Sequence, residues 1–294
     1  MKDTLIKFNQ ERDFGDLFSA TFSFISQEFK RFAIAILYFV VPFLLMAAIA
    51  SVIYSVKVQE MSQSISQVAK ADPFSAFSAI GSLMGYVLVM VLMSLIASTM
   101  LACTVFGYIK LYVQRGSEGF SNNDLWMQIT KNFWRFLGAF IVIGFLMVIG
   151  FVLCVIPGIY LGVALSLVLC IMIFEEKSFS ESFSRSMKLI NTNWWFAFGV
   201  FIIAFILYYI LSVFISIPSV LMGFKTIFAN IKNGQDAAMN LSVGFYVVSA
   251  LTNLLTHIVS VIPIIISAFL YYSFVEKVEK PSLLEKIDQI QDND

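Results

Sequence analysis

The chain has 294 residues, of which 59% are hydrophobic, and its 19 basic and 19 acidic side chains give no net charge. Soluble domains are typically about one quarter charged, whereas this chain is 13% charged. The composition therefore excludes a soluble domain, a disordered chain and a nucleic-acid-binding protein. It predicts a protein that crosses a membrane several times.

Charged side chains are absent from five long stretches, which cover residues 32–56, 73–109, 136–174, 189–224 and 237–275. A membrane-spanning helix needs about 20 apolar residues, or roughly 30 Å at 1.5 Å per residue. Four of the stretches therefore predict one span each. The third stretch is about twice that length and holds Pro157-Gly158 near its middle, so it predicts two spans joined by a tight hairpin.

The sequence thus predicts an all-α, polytopic integral membrane protein with six transmembrane helices. We place them at 32–56, 82–112, 137–156, 158–174, 195–222 and 244–275. The apolar runs are continuous rather than alternating, which favours helices over strands. Pro218 and Pro263 lie within or near the ends of the last two spans, where a proline is tolerated and can kink the helix. Three glycine pairs predict close helix packing, namely Gly81/Gly85, Gly138/Gly144 and Gly158/Gly162.

The distribution of lysine and arginine predicts the orientation of these helices. One side of the membrane receives fifteen of the 19 basic side chains, in segments 1–31, 110–135, 175–194 and 276–294. Loops rich in lysine and arginine stay in the cytoplasm, and all four tryptophans fall at the boundary on that side. We therefore expect a multi-pass protein of the bacterial inner (cytoplasmic) membrane with both termini in the cytoplasm. The first 31 residues are polar, so the first span is expected to act as an uncleaved signal anchor.

A short amphipathic segment precedes each odd-numbered span, at 13–31, 122–135 and 178–194. Shifts of 104 and 165 residues superimpose the apolar positions of these segments, which match in three sets: Phe22, Trp126 and Met187; Ile25, Ile129 and Ile190; Phe29, Phe133 and Trp194. The spacing i, i+3, i+7 is typical of one helical face, as in a helix that lies in the headgroup layer. The alternative is chance agreement within an apolar chain.

The repeat predicts the organisation of the whole chain. We expect one membrane domain at 1–275, followed by a cytoplasmic tail at 276–294. Within the domain, three tandem units at about 13–112, 122–174 and 178–275 each combine an interfacial helix with a transmembrane hairpin.

Apolar stripes also mark the regions outside the spans. The loop at 57–79 carries an apolar stripe made of Val58, Met61, Ile65 and Val68. The loop at 223–243 carries another, made of Phe224, Ile227, Phe228 and Ile231. These stripes predict either short helices that rest on the outer leaflet or docking surfaces for a partner. The tail carries a similar stripe, made of Leu283, Leu284, Ile287 and Ile290.

The run at 155–201 contains Ile156-Pro157-Gly158, the acidic pair Glu175-Glu176, the segment Ser182 to Ser186 and the pair Trp194-Trp195. In these features it resembles a family of bacterial membrane domains found beside, or fused to, glycerophosphoryl diester phosphodiesterases, and related uncharacterised membrane families. The resemblance implies a helical membrane domain similar to the one described above. It implies no enzymatic activity for that domain.

The chain offers few groups for chemistry within its spans. His257 is the only histidine, and it lies near the middle of the last predicted span together with Thr252, Asn253 and Thr256. This polar patch is either a substrate-contacting or gating site, or a neutral histidine that is hydrogen-bonded between helices. We predict no catalytic residue, cofactor or metal site, since Cys103, Cys154 and Cys170 lack the spacing of zinc ligands.

Two functions are compatible with these observations. The first is a non-catalytic accessory or scaffold subunit of a membrane complex, such as the machinery of protein translocation, insertion or secretion. The second is transport or handling of lipid or another hydrophobic solute, that is, membrane homeostasis. The expected partners are membrane lipids and unidentified membrane proteins, and no nucleic acid.

Overall fold

The computed structural model describes residues 6–68, 73–232 and 241–280, which form ten α-helices and no strand. In chain order the helices are α1 (Phe14–Phe39), α2 (Val41–Val68), α3 (Pro73–Arg115), α4 (Asn122–Leu153), α5 (Val155–Leu165), α6 (Val168–Phe174), α7 (Phe179–Asn191), α8 (Trp194–Lys232), α9 (Val243–Val259) and α10 (Val261–Glu279).

Six segments of these helices are long and apolar enough to cross a membrane. They are Val41–Met61, Leu83–Arg115, Asn122–Leu153, Val155–Phe174, Trp194–Ala229 and Val243–Glu279. The prediction of an all-α membrane protein with six spans is therefore confirmed. The last of these segments combines α9 and α10, which are separated by a turn at Ser260.

Two predicted helix boundaries are wrong. The first break falls at Val40 rather than near residue 32, because the apolar residues 32–39 continue α1. Pro42 then lies in the first turn of α2, where its missing N–H costs no helical hydrogen bond. The predicted segment 122–135 and residues 137–153 of the predicted span 137–156 form one continuous helix, α4, which begins with a capping box between Ser121 and Asp124.

The predicted hairpin exists, but its turn lies at Cys154, three residues before Pro157. Cys154 has extended backbone, with φ −172° and ψ 149°, and Pro157 lies in the first turn of α5. Glycine is needed where α4 and α5 meet, since a Cβ added to Gly158 would lie 2.7 Å from the ring of Phe151. By contrast, a Cβ on Gly138 or Gly144 would meet nothing within 4 Å, so packing does not explain this predicted pair.

The apolar stripes of the predicted outer loops belong to longer helices. Residues 57–68 continue α2, and residues 223–232 continue α8 beyond Pro218 without a break. Neither stripe is therefore a separate short helix over these ranges. The side chains of Ile65, Val68 and Ile231, and the tail stripe at 283–290, lie outside the residues whose side chains the structure describes.

Contacts divide the chain into two compact units of non-contiguous segments. The first unit contains the described residues of Met1–Phe39, Thr99–Leu207 and Val261–Asp294, and the second contains those of Val40–Ser98 and Tyr208–Ser260. Helices α3 and α8 contribute residues to both units. Each compact unit combines segments that are distant in the chain, whereas the three predicted tandem units are contiguous. The tandem units therefore stay a prediction.

The first unit has an aromatic core. Phe8 stacks on Phe269 with ring centroids 4.2 Å apart, and Phe24 meets both rings edge to face. Tyr112 packs against Phe24 in the same way, at 5.1 Å. Such pairs of rings add to the free energy of apolar burial. The core therefore joins the segment before α1 to α1, α3 and α10.

Helices α1, α4 and α7 bury equivalent faces in the first unit. Thr21, Leu125 and Ser186 are all buried, and they are related by the shifts of 104 and 165 residues. Phe22 and Trp126, one position further along, are largely exposed. The buried positions therefore lie one residue before the first set of matched apolar positions in the internal repeat, which is Phe22, Trp126 and Met187. Helix α7 packs against α6 and α5, and the Ser186 hydroxyl donates to the Ala164 carbonyl at 2.6 Å.

The second unit consists of α2, α9 and parts of α3 and α8. Helix α2 packs against α9. Most side chains of the span Val41–Met61 are not buried within the protein. Apolar side chains on such a surface are stable when lipid is the surrounding solvent.

Candidate membrane-embedded binding sites

The structure places the predicted polar patch on α9 and divides it. Asn253, Thr256 and His257 line a cavity in the second unit. Thr252 does not line this cavity. It is buried, and its hydroxyl donates to the carbonyl of Val248 one turn earlier, at 2.9 Å. Three of the four predicted residues are therefore brought together at one site.

We call this site the polar cavity. Its volume is about 280 Å³, and α2, α3, α8 and α9 all contribute to its lining. Besides the three residues of α9, it is lined by three hydroxyl side chains: Ser51, Ser94 and Tyr208. Alanines 47, 48, 97 and 250 leave the space between the helices. Among the residues that the structure describes, no Lys, Arg, Asp or Glu belongs to its lining, so this lining carries no fixed charge when His257 is neutral.

A hydrogen bond between α3 and α9 holds His257. The Ser98 hydroxyl lies 3.0 Å from the Nε2 atom of His257, and the tautomer of the ring decides which group donates. The Ser260 hydroxyl donates to the carbonyl of His257 at 2.6 Å, where α9 ends. Ser98 is not among the predicted site residues. The signal that could have found it is the i, i+4 pair Ser94 and Ser98 within an apolar stretch.

The first unit contains a larger cavity, which we call the apolar cavity. Its volume is about 680 Å³, and it lies between α4, the α5–α6 segment and α8. Its lining is almost entirely apolar, and the residues are Phe140, Ile143, Met147, Phe151, Ile159, Gly162, Val163, Leu165, Ser166, Leu169, Phe198, Phe201, Ile202 and Phe205. Gly162 keeps this space open, since a Cβ at this position would lie 3.1 Å from the terminal methyl of Met147.

A polar and aromatic contact adjoins the helices of the apolar cavity. The Tyr160 hydroxyl donates to Oδ1 of Asn191 at 2.7 Å, and the Tyr160 ring stacks on Trp194 with centroids 5.8 Å apart. Trp194 in turn stacks on Phe198, which lines the cavity. Three segments, α5, the end of α7 and the start of α8, are thus joined beside the cavity.

The acidic pair after α6 forms an ion-pair network. Glu176 binds Lys110 of α3 at 2.6 Å and Lys131 of α4 at 2.9 Å. These two hydrogen bonds lower the pKa of Glu176 to about 2. The backbone of Glu176 has φ 55°, a left-handed conformation that is uncommon outside glycine. The bridge between two helices thus holds Glu176 in a backbone conformation of raised energy.

Glu175 is the second centre of the network. It accepts hydrogen bonds from Lys177 at 2.5 Å, from Tyr271 of α10 at 2.9 Å and from the Nε of Arg185 of α7 at 3.0 Å. Burial raises the pKa of Glu175, but these three hydrogen bonds outweigh it and hold the pKa below its ordinary value. Arg185 also binds Glu279 of α10. The network therefore ties α3, α4, α7 and α10 together, and we assign it a structural role.

The cysteines occupy different surroundings. Cys103 and Cys170 are buried, whereas Cys154 is exposed at the hairpin turn. Among residues 6–68, 73–232 and 241–280, no cluster of three or more His, Cys, Asp or Glu side chains is arranged to hold a metal ion.

Comparison with known proteins finds no matching family model, no matching curated protein and no matching solved structure. The class of the molecule, a helical multi-pass membrane protein, therefore rests on its own sequence and structure.

Proposed function

We propose that this protein binds and handles lipid or another hydrophobic solute within the membrane, without catalysing a reaction. The apolar cavity carries the proposal. Its volume of about 680 Å³ lies in the range of roughly 300–1,000 Å³ that is usual for small-molecule sites. Because its lining offers almost no hydrogen-bonding group, its occupant must be apolar, and an acyl chain is the apolar group that surrounds membrane-spanning helices.

The resemblance at 155–201 supports the same proposal. Two of its features adjoin residues that line the apolar cavity: Gly158 lies against Phe151, and Trp194 stacks on Phe198. The related membrane domains occur beside phosphodiesterases that act on lipid-derived substrates. We propose that this chain belongs to the same group of membrane domains.

The test is to fill the cavity from within. Gly162→Leu places a side chain in the apolar cavity, and we expect the purified protein to lose co-purifying lipid in native mass spectrometry. Gly144→Leu is the matched control, because a Cβ at Gly144 meets nothing within 4 Å. Thermal unfolding of both variants establishes that they are folded. Unchanged lipid retention by folded Gly162→Leu would overturn the proposal.

A role as an accessory or scaffold subunit is the second proposal. It is favoured by Phe224 and Phe228, which are exposed on the part of α8 that follows Pro218. An exposed aromatic pair of this kind suits contact with another membrane protein. The experiment is purification in mild detergent. Stoichiometric recovery of a membrane protein that is lost with Phe224→Ser/Phe228→Ser supports this role, and recovery of the chain alone contradicts it.

We further propose that the protein lies in the bacterial inner membrane with both termini in the cytoplasm. The support is the distribution of basic residues, fifteen on one side against four on the other. Trp134 is exposed on α4 between the basic residues Lys131 and Arg135, and a tryptophan in such a position is typical of the membrane interface. A C-terminal reporter that is active only outside the cytoplasm would contradict this orientation.

A further inference from the structure

The polar cavity lies among helices whose other surfaces are apolar. Leu44 to Ser51, Met90 to Ala97 and Ala250 to His257 are all interior parts of segments that can cross a membrane. Polar groups at such depth need partners, because lipid tails offer no hydrogen bonds. Some of them have partners within the protein, since the Ser51 hydroxyl donates to the Ala48 carbonyl at 2.7 Å and His257 pairs with Ser98.

Asn253 differs from these residues. It lines the polar cavity and is exposed, and no hydrogen bond joins its side-chain amide to another residue of the described ranges. A side-chain amide carries two N–H donors and one oxygen acceptor. Leaving these groups unmatched in hydrocarbon is unfavourable. The cavity therefore presents donors and an acceptor toward whatever occupies it.

The charge of the lining restricts the occupant. The described lining residues include no fixed positive or negative group, so a phosphate or ammonium head would lose its hydration without gaining a counter-charge from them. A neutral head with hydroxyl groups has no such cost, because it exchanges hydrogen bonds to water for hydrogen bonds to the amide and hydroxyl groups of the lining.

The size of the cavity agrees with such a head. The cavity volume of about 280 Å³ is roughly the volume that nine molecules occupy in liquid water. This space is large enough for a glycerol-sized group. The geometry points to the following assignment: the polar cavity binds the uncharged, hydroxyl-bearing head of a neutral lipid, for which diacylglycerol is the representative probe. This site belongs to the second unit, and it does not rest on the apolar cavity of the first.

The experiment uses the full chain in phosphatidylcholine nanodiscs. A photoactivatable diacylglycerol is crosslinked to the protein, and mass spectrometry locates the modified peptide. We expect labelling within 243–259, and we expect unlabelled diacylglycerol, but not phosphatidylglycerol, to compete for it. Asn253→Leu is expected to reduce labelling about threefold to tenfold, since it removes hydrogen bonds to the probe.

Thr252→Val is the matched control, because Thr252 is the neighbouring residue on α9 but does not line the cavity. It is expected to label as the wild type does. Asn253→Leu alters an exposed position, so we expect this variant to fold, and thermal unfolding checks that it does. Ser94→Ala provides a second variant in the lining. Equal labelling of both lining variants, equal competition by phosphatidylglycerol, or labelling that no unlabelled lipid reduces would each overturn the assignment. None of these outcomes affects the Gly162→Leu test of the proposed function.

Discussion

The ammonium of Lys110 lies 2.6 Å from a carboxylate oxygen of Glu176, across 66 positions of the chain. The Lys110 side chain is only 6% exposed, whereas that of Glu176 is 51% exposed. The other oxygen of Glu176 binds Lys131 of α4. A single carboxylate, placed between the membrane-crossing segment Val155–Phe174 and α7, thus neutralises a buried cation of α3 and joins it to α4.

Glu176→Gln tests this bridge. The substitution leaves Lys110 buried without its counter-charge, which is costly for a buried ion, although the exposure of Glu176 reduces the effect. We expect a loss of about 1–2 kcal/mol in the free energy of unfolding, measured by thermal unfolding in detergent. Glu118→Gln is the control, since Glu118 is 92% exposed and lies 3.9 Å from Arg31. Equal stability of the two variants would show that the bridge contributes nothing.

The pH dependence of stability follows from the same carboxylate. The hydrogen bonds from Lys110 and Lys131 lower the pKa of Glu176 from an ordinary value of 4.5 to about 2. A carboxylate of lowered pKa stabilises the folded state above its ordinary pKa, and this contribution is lost as the pH falls toward the folded pKa. The melting temperature of the wild type should therefore fall between pH 4.5 and 2. Glu176→Gln should show a shallower fall, and parallel curves for the two proteins would contradict this assignment.

The sequence predicts the six spans because uncharged apolar runs of this length are typical of transmembrane helices. It misplaces the first break, since the apolar run continues through Phe39, Val40 and Val41, and only Pro42 in the first turn of α2 marks the boundary. The Glu175–Glu176 network could not be predicted in the same way. Its partners are up to 96 positions apart, and only tertiary packing decides which of the basic side chains reach them. The polar patch was found because polar residues are rare in a span, but which of its members face the cavity depends on neighbouring helices.

Gly158→Ala tests the close approach within the α4–α5 hairpin. The added methyl group would lie 2.7 Å from the Phe151 ring, so either this ring or one of the two helices must shift. We expect destabilisation of about 1–3 kcal/mol, read as a lower melting temperature in detergent. Gly144→Ala should be neutral or slightly stabilising, because its methyl group meets nothing within 4 Å and alanine favours the helix. A hairpin that tolerates both substitutions equally would contradict the packing described for α4 and α5.

His257→Ala tests the hydrogen bond between α3 and α9. The imidazole shares one hydrogen bond with Ser98, and hydrogen bonds between membrane helices contribute about 0.6 kcal/mol on average and at most about 1.7 kcal/mol. We therefore expect a folded protein with a stability loss of about 1 kcal/mol. A double-mutant cycle with Ser98→Ala isolates the pair, because the second substitution should cost little once the first has been made. Strictly additive losses would show that the two side chains stabilise the protein independently, and that the contact between Ser98 and His257 is not what holds the imidazole beside the polar cavity.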